Sequence, residues 1–114
     1  MAMEVHKVDG VLVVRLQGEL DHHVVEQIRD EIERELAWVR HRALVLSCRG
    51  VSFMDSSGLG LVLGRYRSVS SHRGRMALCE VGPSLMKLFE LSGILKIVPV
   101  FPDEEQAIAH VKEA

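Results

Sequence analysis

The most constraining feature of this chain is an alternation. Short runs rich in valine and leucine are separated by longer stretches whose apolar residues recur every three or four positions. Residues 3–8 and 11–17 are two such runs, and Asp9-Gly10 between them supplies the positive φ angles of a tight hairpin turn. Residues 42–48, 75–81 and 96–101 predict three further strands, the last interrupted by Pro99, which suits a sheet edge. From Asp21 to about Val39, the residues Val25, Ile28, Ile32, Leu36 and Val39 fall on one side of a helix. Glu26, Arg29, Asp30, Glu33 and Arg34 fill the other side, and Asp21 is placed to cap it. Further helices are predicted over 56–71, over 83–91 with Ser92-Gly93 as a stop, and over 103–112 with Asp103 or the turn before it as the cap.

The order β-β-α-β-α-β-α-β-α calls for an α/β fold. Parallel strands need crossover helices between them, and the opening hairpin adds one antiparallel strand. A length of 114 residues suits one domain with one core, with no internal repeat or linker.

Composition excludes several classes. Net charge is −2, with no basic run and no acidic tail. Arg65, Arg67, Arg73 and Arg75 are interleaved with serine and glycine rather than aromatics, which predicts a solvated surface and no nucleic-acid partner. No apolar run approaches the ~18 residues that span a bilayer, so no membrane partner is expected. The first residues lack the pattern of a secretory signal, and Cys48 and Cys79 form no C-x-x-C pair, so a cytoplasmic chain with two reduced core thiols is expected.

The chemistry concentrates in Val51-Ser52-Phe53-Met54-Asp55-Ser56-Ser57-Gly58-Leu59-Gly60-Leu61, between the third strand and the second helix. Sites in open α/β sheets gather where loops leave the carboxyl ends of strands. Asp55, Ser56 and Ser57 are all good helix caps, and capping alone would account for them. The helix beyond them, however, contains Gly58, Gly60 and Gly64, at about 1 kcal/mol each relative to alanine. At 100° per residue, Leu59, Val62, Leu63, Tyr66 and Val69 supply a core stripe, while Ser57, Gly60, Leu61, Gly64 and Ser68 face outward as a small, smooth lane with Ser56 at its rim. Such a lane suits the close approach of another backbone; tight packing inside the domain is the alternative for the glycines. A phosphoryl group on a serine here would meet the positive end of its own helix, yet repel a partner docked beside it, with Asp55 adding to the negative field.

These residues carry a resemblance. Leu16-Gln17-Gly18-Glu19-Leu20-Asp21-His22-His23, Phe53-Met54-Asp55-Ser56-Ser57-Gly58-Leu59-Gly60, Leu63-Gly64-Arg65-Tyr66 and Leu88-Phe89-Glu90-Leu91-Ser92-Gly93 resemble the anti-sigma factor antagonists of spore-forming bacteria. The likeness runs along essentially the whole chain. It implies a single STAS domain over residues 1–114: a mixed, mostly parallel sheet of about five strands with about four helices on one side. It implies that the unmodified protein binds an anti-sigma factor that is also a serine kinase, releasing a sigma factor for sporulation transcription. Phosphorylation of Ser56, with ATP carried by the kinase and no cofactor held by this chain, would switch binding off, and a serine phosphatase would restore it. The choice of Ser56 over Ser57 rests on the resemblance, since hydroxyl spacing does not separate them. The expected partner surface comprises Asp21, Asp55, Ser57, Gly58, Gly60, Leu61 and Gly64. Cys48-Arg49-Gly50 departs from the more acidic or amide-bearing loop of the family, which bears on partner preference.

Two other classes fit less well. A response-regulator receiver would carry its phosphate on Asp55, but it needs an acidic pair after its first strand, where this chain has the Asp9-Gly10 turn. An enzyme with a serine nucleophile needs a base and an oxyanion hole, and Asp55-Ser56-Ser57-Gly58 lacks the first glycine of a nucleophile elbow. His22 and His23 are neighbours that diverge on a helix, predicting solvent-facing or partner-facing side chains and no metal. Trp38 suits either core or partner contact.

Overall fold

The computed structural model describes residues 3–39 and 42–112. Asp9 and Gly10 have φ angles of 52° and 80° and turn β1 (Met3–Val8) back onto β2 (Val11–Leu20), antiparallel, with Val5 opposite Val14. After α1 (Val25–Leu36) the chain enters β3 (Leu44–Met54), and α2 (Ser56–Ser71) leads to β4 (Met76–Cys79). Pro83 opens α3 (Pro83–Ser92), and Gly93 closes it in the left-handed region at φ 81°. A 3₁₀ turn, Ile94–Lys96, precedes β5 (Val100–Phe101) and α4 (Glu104–Lys112). The sheet order is β1-β2-β3-β4-β5, with every pair after the hairpin parallel.

Alternation along the strands builds two cores. Leu12, Val14, Leu16, Leu44, Leu46, Met76 and Leu78 face Ile28, Ile32, Leu36, Val62, Val69 and Phe89, so α1, α2 and α3 cover one side. Val11, Val13, Ala43, Val45, Ala77 and Cys79 face the other way and are covered by Ala107 and Val111 of α4. The expectation of all helices on one side is therefore corrected: three lie on one face and α4 on the other. The reason is local. Residues Leu44–Cys48 read as a nearly continuous apolar run, and a central parallel strand of that kind must be covered twice. Asp103 fixes the start of α4, accepting from the Gln106 amide at 2.8 Å, a bond that holds its carboxyl below the usual aspartate range.

Other differences have equally specific causes. β2 and β3 run past the expected ends at 17 and 48. Residues 96–98 form no strand, because the 3₁₀ turn carries Val98 into the core. Asp21 does not cap α1; its carboxylate accepts from the His23 amide at 3.0 Å and its carbonyl from Val24 and Val25, so residues 22–24 turn before the helix begins. Cys48 and Cys79 are buried free thiols on opposite faces, and burial pushes both up to about 12, which makes them inert. Trp38 is exposed.

Arg65 is not part of a solvated surface. It lies 8% exposed on the inner stripe of α2, its Nε 2.9 Å from Glu33 Oε2 of α1 but out of line for a hydrogen bond. Ser68 Oγ donates to the other Glu33 oxygen at 2.8 Å. Burial lowers the arginine's pKa and Glu33 opposes that shift, so the carboxylate keeps a buried cation tolerable between two helices. Removing Glu33 strands that cation. Urea unfolding of Glu33→Ala is expected to show a loss of about 2–4 kcal/mol. Arg65→Met, which leaves a carboxylate about a third exposed and still bonded by Ser68, should lose less.

Candidate functional site

The site is set by the pairing of β2 with β3. The two parallel strands stay paired, with register shifts between Arg15 and Gln17 and between Gly18 and Glu19, until Leu20 faces Met54. The next residues, Asp21 and Asp55, thus leave the sheet side by side at its carboxyl edge. The Asp55 amide donates to the Leu20 carbonyl at 3.4 Å.

Asp55 is the helix cap. It is extended, at φ −101° and ψ −169°, and its Oδ1 accepts from the amides of Ser57 at 2.9 Å and Gly58 at 3.2 Å. Ser56 is then the first helical residue and is exposed, while Ser57 is half-buried. Three candidate capping residues resolve into one cap and two hydroxyls, of which Ser56 is the more accessible. Asp55 Oδ2 lies 3.9 Å from His22 Nδ1. The His22 ring stacks on His23 at 4.0 Å between centroids, and His23 Nδ1 is 3.6 Å from Asp21 Oδ1. The His23 amide holds the Asp21 carboxyl below its ordinary value against the opposing effect of burial, with smaller help from the nearby imidazoles. Both histidines are exposed, as expected, but each faces a carboxylate. Their pairing was not legible, because it depends on where β2 and β3 end. Among the described residues no group of three or more metal-ligating side chains occurs.

The faces of α2 need correction. The buried stripe is Gly58, Leu61, Val62, Arg65 and Val69, with Leu59, Leu63 and Tyr66 half-buried beside it. Leu61, expected on the outward lane, is 4% exposed and belongs to the core. Gly58 also faces inward: a Cβ there would stand 2.8 Å from the Leu20 carbonyl oxygen and collide with the Met54 side chain. Gly58 therefore answers to packing within the domain, the alternative weighed for the glycines. Gly60 and Gly64 differ, since a Cβ at either would meet nothing within 4 Å. The outward lane is thus narrower than expected, carrying Ser56 at its head and Gly60 and Gly64 along it. Phe53, 52% exposed, stands two residues before Asp55 beside a groove lined by Val51, Met54, Pro83, Leu85 and Leu88.

Comparison with known proteins agrees with this geometry. Residues 2–107 match the model of the STAS domain. The chain belongs to the STAS domain family. The anti-sigma F factor antagonist of Paenibacillus polymyxa is 41% identical over 110 residues, covering 96% of this chain and 92% of that protein. The structure of the anti-sigma factor antagonist SpoIIAA in its unphosphorylated form superposes with a TM-score of 0.76 at 35% identity, covering 99% of this chain and all of that one. The Bacillus cell fate determinant SpoIIAA in its phosphorylated form gives a TM-score of 0.73 at 39% identity, covering 96% of this chain and 99% of that one. Within the STAS family this chain sits with the anti-sigma factor antagonists. None of these relatives supports the receiver alternative, and Asp55, which that alternative needs as phosphoacceptor, spends one oxygen on the helix cap.

The glycines give a direct check by thermal or urea unfolding. Gly58→Ala is expected to lose about 1–3 kcal/mol, because a backbone carbonyl blocks the new methyl. Gly60→Ala and Gly64→Ala should gain about 0.5–1 kcal/mol, the ordinary helix preference for alanine.

Proposed function

We propose that the unphosphorylated protein binds an anti-sigma factor that is also a serine kinase and thereby frees a sigma factor for sporulation transcription. The kinase, carrying its own ATP, then phosphorylates Ser56 and ends the association, and a serine phosphatase restores the active form. The chain itself supplies a surface and an acceptor hydroxyl rather than catalytic groups. One observation carries this: Ser56 heads α2 exposed, with the cap made by its neighbour Asp55, at the rim of the open lane over Gly60 and Gly64.

The physical argument is one of opposite consequences. The amides at the start of α2 and its dipole tolerate a doubly charged group, so the fold survives modification. A partner backbone on the glycine lane would have to desolvate that charge together with Asp55, so association does not survive. The family relationship supports the same reading, since SpoIIAA is known in both an unphosphorylated and a phosphorylated form.

Incubation with the matching anti-sigma kinase and ATP, followed by mass spectrometry, tests it. One phosphate is expected on the wild type and on Ser57→Ala, and none on Ser56→Ala. A phosphate that persists in Ser56→Ala, or none on the wild type with a kinase proven active, contradicts the assignment. Gly64→Leu, whose Cβ meets nothing within 4 Å, should bind the unmodified partner at least about tenfold more weakly, about 1.4 kcal/mol.

A further inference from the structure

The contact between His22 and Asp55 has no part in capping α2. Asp55 uses Oδ1 for that, bonding the amides of Ser57 and Gly58, and turns Oδ2 toward His22 Nδ1 at 3.9 Å. The histidine is not held there by burial, since its side chain is 68% exposed. It sits in the turn before α1, whose Asp21 carboxylate accepts from the His23 amide, with its ring centroid 4.0 Å from that of His23 at a tilt of 36°. The titratable groups around it are Asp55 from the head of α2, and Asp21 and His23 from its own turn. Ser56 follows Asp55 directly, so a phosphate on Ser56 adds its charge next to the carboxylate that His22 already faces.

We propose that His22 is the positioning counter-charge of the phosphorylated switch: its imidazolium pairs with the joint negative field of Asp55 and a phosphate on Ser56. This rests on Ser56 being the modified residue and concerns how that state is regulated. A phosphoserine takes its second charge near pH 6, so a cation beside it displaces that ionisation within an accessible range. A cation at His22 stabilises the doubly charged phosphate over the singly charged one. The double charge of the phosphate therefore persists to lower pH than on a serine without such a neighbour. His23, committed to Asp21, contributes less.

The test uses protein with phosphoserine installed at position 56 during translation, so that it stands apart from whether a kinase modifies that residue. Phosphorus NMR follows the phosphate between pH 4.5 and 8.5 in the otherwise wild-type chain, in His22→Gln and in His23→Gln. The phosphate midpoint is expected about half a unit higher in His22→Gln than with His22 present, and less displaced in His23→Gln. Because His22 is exposed, the variant keeps its fold, and amide spectra at each pH verify that. Equal midpoints with and without His22 would overturn the proposal, as would a larger shift from His23→Gln. Failure of the kinase to label Ser56 would instead remove the assignment beneath it while leaving this measurement interpretable.

Discussion

The structure depends on how far β2 and β3 remain paired. Their register extends beyond the part of the sheet shared with β4, which ends at Cys79, and closes only with Leu20 against Met54. That last pair does two things. It places Asp21 and Asp55 on adjacent chain ends, and it forms the floor on which Gly58 seats the first turn of α2. A side chain at position 58 would lift the helix, and with it the cap, the exposed serine and the glycine lane. The site is thus a consequence of strand length and one missing methyl group.

Charge then divides the work among neighbours. Asp55 satisfies the amides that a helix start leaves open, which releases Ser56 from any duty in the fold. On the inner side of α2, Arg65 and Glu33 pair the helix with α1 at 2.9 Å, the arginine buried and the carboxylate about a third exposed. The inner face of α2 is committed to the core and the outer face is bare. On the proposed phosphorylation of Ser56, an anti-sigma factor antagonist built this way would change its surface without changing its fold.

Much of this was legible in the sequence. The hairpin at Asp9-Gly10, the three helices that begin at Ser56, Pro83 and Glu104, and the parallel order all follow from periodicity and turn chemistry. What escaped depends on three-dimensional placement. Leu61 falls on the outward lane of a helical wheel, which fixes relative angles and not which sector meets the sheet, and Gly58 enters the expected partner surface although its close neighbour, the Leu20 carbonyl, lies in another strand. Arg65 was read as solvated because a charged residue on an apolar stripe declares itself only when a carboxylate from another helix is seen opposite. The second cover of the sheet by α4 is hidden in the resemblance to a fold with helices on one side, although the nearly continuous apolar run Leu44–Cys48 favours it. The pairing of His22 with Asp55 required knowing that β2 and β3 end together.

The central claim is that modification at Ser56 alters a surface and leaves the fold as it was. Amide hydrogen exchange of the free protein, with and without a phosphate on Ser56, tests this most directly. The account predicts equal protection in β2, β3 and the body of α2, with differences confined to the first turn of α2 and the turn holding His22 and His23. Lost protection spreading along α2 into Val62 and Val69, or into β3, would contradict it and make the switch a change of fold.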